Sequence, residues 1–169
     1  MLRKIVVFLM IIIGYLLQCS VFKSISIAGI VPNVLLILTA SFGFMRGKDE
    51  GMFIGFICGL IIDIFFGGSL LGFYALAYML IGYLNGFFRR IFYPEDIKLP
   101  LILISASEFL YCFICYIFLF LLRGRLHFIY YFIHIIIPDM VYTVLVTLII
   151  YKGILIVNEW LEEHERRRI

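Results

Sequence analysis

Residues 43–67, GFMRGKDEGMFIGFICGLIIDIFFG, decide the fold of this chain because they repeat a small residue every four positions. The series consists of six glycines and one aspartate: Gly43, Gly47, Gly51, Gly55, Gly59, Asp63 and Gly67. Positions four apart lie on one face of a helix. From Gly51 onward the neighbouring residues are apolar, which predicts a membrane helix whose glycine face admits another backbone. Asp63 shares that face and is expected to point at the same neighbour rather than at lipid.

The composition of the chain indicates an integral membrane protein. Of 169 residues, 64% are hydrophobic and 18% are aromatic, and the mean hydropathy is +1.13. Soluble domains are about 45–50% apolar. The formal net charge is only +3, and the basic residues cluster at the ends of apolar stretches. The charge therefore reports topology in a lipid bilayer and not a nucleic-acid partner.

The apolar stretches predict an all-α domain of six transmembrane helices over residues 1–157, followed by a charged tail over 158–169. The spans are predicted at about 5–22, 25–45, 51–66, 70–88, 99–122 and 138–157. The first span is interpreted as retained rather than cleaved. Pro138 is expected to divide the last apolar stretch into an interfacial or kinked piece and the main span. Gly47 is expected to form the tight turn before the third span.

Six spans place both termini on one side of the membrane. With the termini in the cytosol, three of the fourteen Lys and Arg residues fall outside, namely Lys23, Arg123 and Arg125, and the other eleven fall inside. This bias follows the positive-inside rule. The sequence therefore predicts a multi-pass protein of the cytoplasmic membrane with both termini in the cytoplasm.

Three carboxylates lie within the predicted spans. Asp63 is interpreted either as a polar contact that organises the bundle or a partner, or as a cap on the turn that follows it. Glu108 is deeper and is expected to pair within the bundle, with Asn85 or a tyrosine, or to stay protonated. Asp139 follows Pro138 and is expected in the first turn of a helix, where the helix dipole favours a carboxylate.

The chain has no recognisable catalytic arrangement: it contains no Walker loop, H-E-x-x-H motif or Ser-His-Asp pattern. Its four cysteines all lie in apolar runs and are interpreted as small hydrophobic residues: Cys19, Cys58, Cys112 and Cys115. Although Cys112 and Cys115 form a C-x-x-C pair, no second ligand pair accompanies them. The sequence therefore predicts a protein that is not an enzyme and has no cofactor and no metal.

Three stretches taken together resemble the MreD family of bacterial rod shape-determining proteins. They are PNVLLIL at 32–38 with GFMRG at 43–47, EG at 50–51 running on to LIIDI at 60–64, and LGFY at 71–74 running on to GY at 82–83. Eight positions carry the family pattern: Pro32, Asn33, Arg46, Gly47, Gly51, Gly55, Gly59 and Asp63. The later part of the chain is similar to the family in hydropathy only.

The resemblance implies a non-enzymatic subunit of the cell-elongation machinery that builds sidewall peptidoglycan. Its partners would be MreC, the MreB cytoskeleton, and the pair formed by RodA and a class B penicillin-binding protein. The resemblance also implies the six-helix fold of the substrate-binding subunits of energy-coupling-factor transporters.

The leading hypothesis is a scaffold that presents a small-residue groove to the single transmembrane helix of a partner such as MreC. The predicted partner-binding residues are Gly51, Gly55, Gly59, Asp63, Gly82, Asn85 and Gly86. An alternative is a subunit that binds or transports a small molecule or a lipid intermediate. A third possibility is a proton-coupled transporter that works through Glu108.

Overall fold

The computed structural model describes residues 2–26, 29–66, 71–91, 97–120 and 128–167. All the regular elements in these ranges are helices, in agreement with the predicted all-α class. The α-helices are α1 (Leu2–Cys19), α2 (Val21–Ser24), α3 (Val34–Arg46), α4 (Lys48–Phe66), α5 (Phe73–Gly86), α6 (Lys98–Cys115), α7 (Phe128–Tyr131) and α8 (Ile137–Arg166). A 3₁₀ turn (Phe87–Ile91) extends α5, and π-helical turns follow α6 (Tyr116–Phe120) and α7 (Phe132–Ile136).

Helix α3 forms the centre of the bundle. Its residues from Val34 to Met45 are all buried, and α1, α4, α5, α6 and α8 pack around it. A helix that is apolar on every side is expected in such a central position. The Asn33 side chain caps the start of α3 by accepting a hydrogen bond from the Leu36 amide.

A single residue separates α3 from α4. Gly47 has a φ of +109°, in the left-handed region, and α4 begins at the next residue. The predicted tight turn at Gly47 is confirmed, but it is shorter than the loop that the charged residues suggest. A side chain is strained at this φ, so glycine is the residue that suits the turn.

Six of the described α-helices have 13 residues or more, which matches the predicted number of six. Within the described ranges, three helical stretches are long and apolar enough to cross a membrane: Leu2–Ser24, Lys98–Phe118 and Ile129–Arg166. The apolar helix Val34–Arg46 is shorter. Length and composition therefore support a membrane protein.

The last part of the chain differs from its predicted division. Pro138 lies in the first turn of α8 and does not break the helical path, because the π-helical turn Phe132–Ile136 directly precedes that helix. A wider turn is a common way for a helix to accommodate a proline. The predicted charged tail begins within this helix, since α8 continues to Arg166 and buries Asn158 and Leu161.

Candidate functional site

The glycine face of α4 packs directly against α5. A Cβ atom added at Gly51 would lie 2.5 Å from the Gly82 carbonyl oxygen, and Cβ atoms at Gly55 and Gly59 would overlap the carbonyl oxygens of Tyr78 and Tyr74. We call this contact the glycine seam: Gly51, Gly55 and Gly59 on α4 facing Tyr74, Tyr78 and Gly82 on α5. The predicted close backbone approach is thus present, and it joins two consecutive helices of the same chain.

The glycine seam continues toward the end of the bundle that holds the α3–α4 turn. A Cβ atom at Gly82 would overlap the Gly51 carbonyl oxygen, and one at Gly86 would overlap the backbone of Lys48. Gly43 of α3 closes the same region, because a Cβ atom there would lie 2.7 Å from the Gly82 carbonyl oxygen. The backbones of three helices therefore approach one another closely at glycines.

Asp63 organises the opposite end of the α4–α5 pair. Its carboxylate accepts hydrogen bonds from the backbone amides of Tyr74 (3.3 Å) and Ala75 (2.8 Å). These are amides of the first turn of α5, whose own N-cap residue, Gly72, has no side chain to accept them. A carboxylate also suits the positive end of the helix dipole. Asp63 thus acts as a bundle contact, and the turn at 67–69 that it was alternatively predicted to cap lies outside the described residues.

Asn85 makes its contacts within the bundle as well. Its side-chain amide donates to the Ser107 hydroxyl of α6 (2.7 Å) and to the Ile81 carbonyl (2.9 Å). All seven predicted partner-binding residues thus lie in contacts inside the chain. Their spacing shows that a backbone comes close, but it does not show whose backbone it is. A partner helix reaches the glycine seam only if α4 and α5 separate.

Asn33 joins three helices near the start of α3. Its side-chain oxygen accepts from the Tyr78 hydroxyl of α5 (2.6 Å) and from the Leu36 amide (3.3 Å). Its backbone amide donates to the Thr143 hydroxyl of α8 (3.3 Å). All of these groups are buried. The neighbouring Pro32 precedes the helix and leaves Asn33 free to cap it.

A second polar cluster adjoins Asn33 and joins α6 to α8. It consists of Glu108, Cys112 and Asp139, which each offer a ligand atom within 4.8 Å of the others. The Cys112 sulfur lies 3.9 Å from Glu108 Oε1 and 3.7 Å from Asp139 Oδ2. Glu108 is fully buried and Cys112 is 3% exposed. We refer to these three residues as the carboxylate–thiol cluster.

The contacts of Glu108 and Asp139 differ in part from those predicted. The Asn85 side chain forms its hydrogen bond with Ser107 rather than with Glu108, because adjacent residues of α6 point in directions about 100° apart. Asp139 does lie in the first turn of α8, as predicted. Its approach to Glu108 was not predicted, since nothing in the local sequence relates positions 31 residues apart. Cys112 was interpreted only as a hydrophobic residue, although its i,i+4 spacing from Glu108 was visible.

Charged residues from both ends of the chain meet at the end of the bundle that holds the α3–α4 turn. Arg3 of α1 pairs with Glu165 (2.9 Å), and Arg46 of α3 pairs with Glu162 (2.9 Å), both glutamates being on α8. Glu50 of α4 lies 3.5 Å from Arg3 and 3.4 Å from Arg46. Burial raises the pKa of the Glu50 carboxyl, and the charge of Arg46 opposes that shift. The start of α1 and the end of α8 therefore lie at the same end of the bundle.

One open groove runs along the outside of the bundle between α1 and α8, with α3 at its floor. Its volume is about 240 Å³. Its lining is apolar and includes two glycines: Met10, Ile13, Gly14, Leu17, Val34, Leu38, Ile150, Gly153, Ile154 and Val157. A Cβ atom at Gly153 would have no heavy atom within 4 Å, apart from the atoms of its own helix turn. We call this feature the α1–α8 groove.

Comparison with known proteins gives one match. A family model described as rod shape-determining protein MreD matches residues 1–157. No curated protein and no solved structure matches the chain, so the predicted similarity to energy-coupling-factor substrate-binding subunits stays a prediction. Because the matched region covers all but the last twelve of the 169 residues, the chain belongs to the MreD family of rod shape-determining proteins.

Proposed function

We propose that this protein is a non-enzymatic scaffold of the rod-shape machinery that holds the single transmembrane helix of a bitopic partner such as MreC. Membership of the MreD family supports a membrane protein that determines cell shape. Through the partner, the scaffold would connect MreB with RodA and the class B penicillin-binding protein that build the sidewall. The α1–α8 groove is the single observation that carries the proposal.

The chemistry of the α1–α8 groove favours a helix as its occupant. Hydrophobic surface alone gives no driving force for association in lipid, so close packing at small residues must supply it. Gly153 leaves open space on α8, whereas Gly14 of α1 lines the groove but is packed closely against Leu38 of α3, so the open small residue is on α8. The glycine seam offers the same chemistry, but α5 already fills it. The α1–α8 groove is therefore a small-residue surface that remains open to a partner.

The charges at the end of the bundle support an orientation for this scaffold. Arg3, Arg46 and Glu165 lie together, and the predicted excess of basic residues assigns that side to the cytosol. Both termini would then face the cytoplasm. A partner helix in the α1–α8 groove would emerge beside the ends of α1 and α8, within reach of the cytoskeleton.

The experiment fills the groove and measures capture of the partner. Tagged protein carrying Gly153→Trp is expected to co-purify with about tenfold less MreC than wild type. The indole would occupy the open space and prevent a partner helix from packing closely there. The matched control is Ile102→Trp, at an exposed position on α6 that is outside the groove. Gly153→Ala is expected to retain the partner.

Crosslinking at the same two positions distinguishes the two possible occupants of the groove, a helix of MreC and the acyl chains of lipid. A photo-crosslinking residue at position 153 is expected to capture MreC in native membranes, while one at position 102 is not. If Gly153→Trp captures MreC as well as wild type does, and position 153 crosslinks only to lipid, then the groove is lined by acyl chains and the proposal is wrong.

A further inference from the structure

The carboxylate–thiol cluster has the composition and geometry of a metal site. Glu108 and Cys112 lie one turn apart on α6, and Asp139 approaches from the first turn of α8. One thiol and two carboxylates are ligands that zinc accepts, and thiolate disfavours the harder cations Mg²⁺ and Ca²⁺. The sequence prediction of no metal considered only Cys112 with Cys115, which lack a second pair of ligands.

The distances within the cluster are close to those that a bound ion requires. With Zn–S of about 2.3 Å and Zn–O of about 2.0 Å, tetrahedral ligands are separated by about 3.5 Å. The Cys112 sulfur lies 3.7 Å from Asp139 Oδ2 and 3.9 Å from Glu108 Oε1. The sulfur therefore needs to move only a few tenths of an ångström relative to each oxygen, and all three ligand atoms lie within 4.8 Å of one another.

Two buried oxygen atoms in the cluster have no hydrogen bond to another described residue. They are Glu108 Oε2, on a residue with no exposed surface, and Asp139 Oδ1, although the Asn33 and Asp139 side chains both lie near Glu108. A buried carboxylate oxygen without a partner is costly. A cation between the two carboxyl groups would satisfy these oxygens and offset the negative charge that the three ligands bring together.

We propose that Glu108, Cys112 and Asp139 bind one zinc ion and thereby tie α6 to α8. The fourth position would be taken by water, because the three residues supply three ligands and Asp139 is the least buried of them. When the ion binds, the thiol proton of Cys112 leaves to water and the sulfur coordinates as thiolate. The ion joins the two helices and requires no chemical reaction.

The test uses the full-length protein in detergent, stripped with a chelator and then incubated with zinc alone. After gel filtration, about one zinc per chain is expected by elemental analysis. Changes to groups around a metal ligand cost about 10–100-fold in affinity, so loss of a ligand is expected to cost about 100-fold or more. Cys112→Ser, Glu108→Gln and Asp139→Asn are the three variants. Cys58→Ser, at a buried free cysteine on α4, is the matched control.

Cobalt provides a second measurement that depends on the sulfur. Cobalt added in place of zinc is expected to give a thiolate charge-transfer absorption in wild type and in Cys58→Ser, and none in Cys112→Ser. Zinc is also expected to raise the unfolding midpoint of wild type and not that of Cys112→Ser, which differs from wild type by one atom. The proposal is overturned if wild type retains no zinc, in which case the two carboxyl groups share a proton instead. It is also overturned if Cys112→Ser binds zinc with unchanged affinity, because the thiol is then not a ligand.

Discussion

The glycine seam gives the sharpest test of the fold, through the substitution Gly51→Ala. The new Cβ atom would lie 2.5 Å from both the Gly43 Cα atom and the Gly82 carbonyl oxygen, and ordinary contact begins at 3.4 Å. The difference, 3.4 minus 2.5, requires a movement of 0.9 Å. Both obstacles are backbone atoms, on α3 and α5, so no side-chain rotation relieves the overlap and a helix must shift.

The expected cost follows from two opposing effects. Overpacking of a tightly packed core costs about 1–3 kcal/mol, and the upper end applies because two neighbouring backbones obstruct the new atom. Alanine regains about 1 kcal/mol of helix preference over glycine. The free energy of unfolding of Gly51→Ala is therefore expected to fall by about 2 kcal/mol. At Gly153, where a Cβ atom meets open space, the same change is expected to raise it by about 0.4–1 kcal/mol.

The assay is unfolding by SDS in mixed micelles, with a thiol-reactive dye as the reporter. Cys58, Cys112 and Cys115 are free and buried, so they become reactive only when the bundle opens. The decisive result is the sign, which differs between Gly51→Ala and Gly153→Ala. If Gly51→Ala stabilises the protein as much as Gly153→Ala does, then α4 and α5 are not in backbone contact and the assignment of the seam is wrong.

Three further changes test the polar contacts in the same assay. Asp63→Ala is expected to lower the free energy of unfolding by about 1 kcal/mol through loss of the cap on α5, whereas Asp63→Asn, which keeps an acceptor, loses less; equal losses would contradict a capping role. Tyr78→Phe removes the 2.6 Å hydrogen bond to Asn33 and is expected to cost about 0.6 kcal/mol, the average for such bonds in membranes; no loss would show that the bond contributes nothing. Arg46→Glu is expected to cost up to about 1 kcal/mol, and adding Glu162→Arg should restore part of it, whereas purely additive effects would exclude the ion pair.

The sequence was sufficient to predict the all-α class, a membrane protein and the number of long helices. These features depend on local properties: the length of apolar stretches, the capping residue Asn33 and the positive φ that Gly47 permits. The course of the chain at Pro138 was not predictable, because a π-helical turn and a helix break satisfy the same local pattern. The extent of α8 was not predicted because the sequence does not show that Glu162 and Glu165 pair with arginines of the bundle. Without those partners, the two glutamates indicate a solvated tail.

The site was less accessible to sequence reasoning than the fold. The spacing of Gly51, Gly55 and Gly59 predicted a close helix contact correctly, but periodicity contains no information about which helix provides the other surface. The carboxylate–thiol cluster depends on α6 and α8 meeting, which is a long-range property. The α1–α8 groove could not be predicted from the sequence, because Gly14 and Gly153 are isolated glycines that belong to no repeat.

The residues that carry the family resemblance have structural roles in the bundle. Asn33 caps α3, Gly47 turns the chain, and Asp63 caps α5, while the glycine seam brings α4 and α5 into backbone contact. Substitution of these residues is therefore expected to reduce function by destabilising the bundle, whatever surface the partner uses. A loss of rod shape in such a variant does not by itself identify a partner-binding residue. Only a variant such as Gly153→Trp, which retains the fold and fills an open surface, can show where the partner binds.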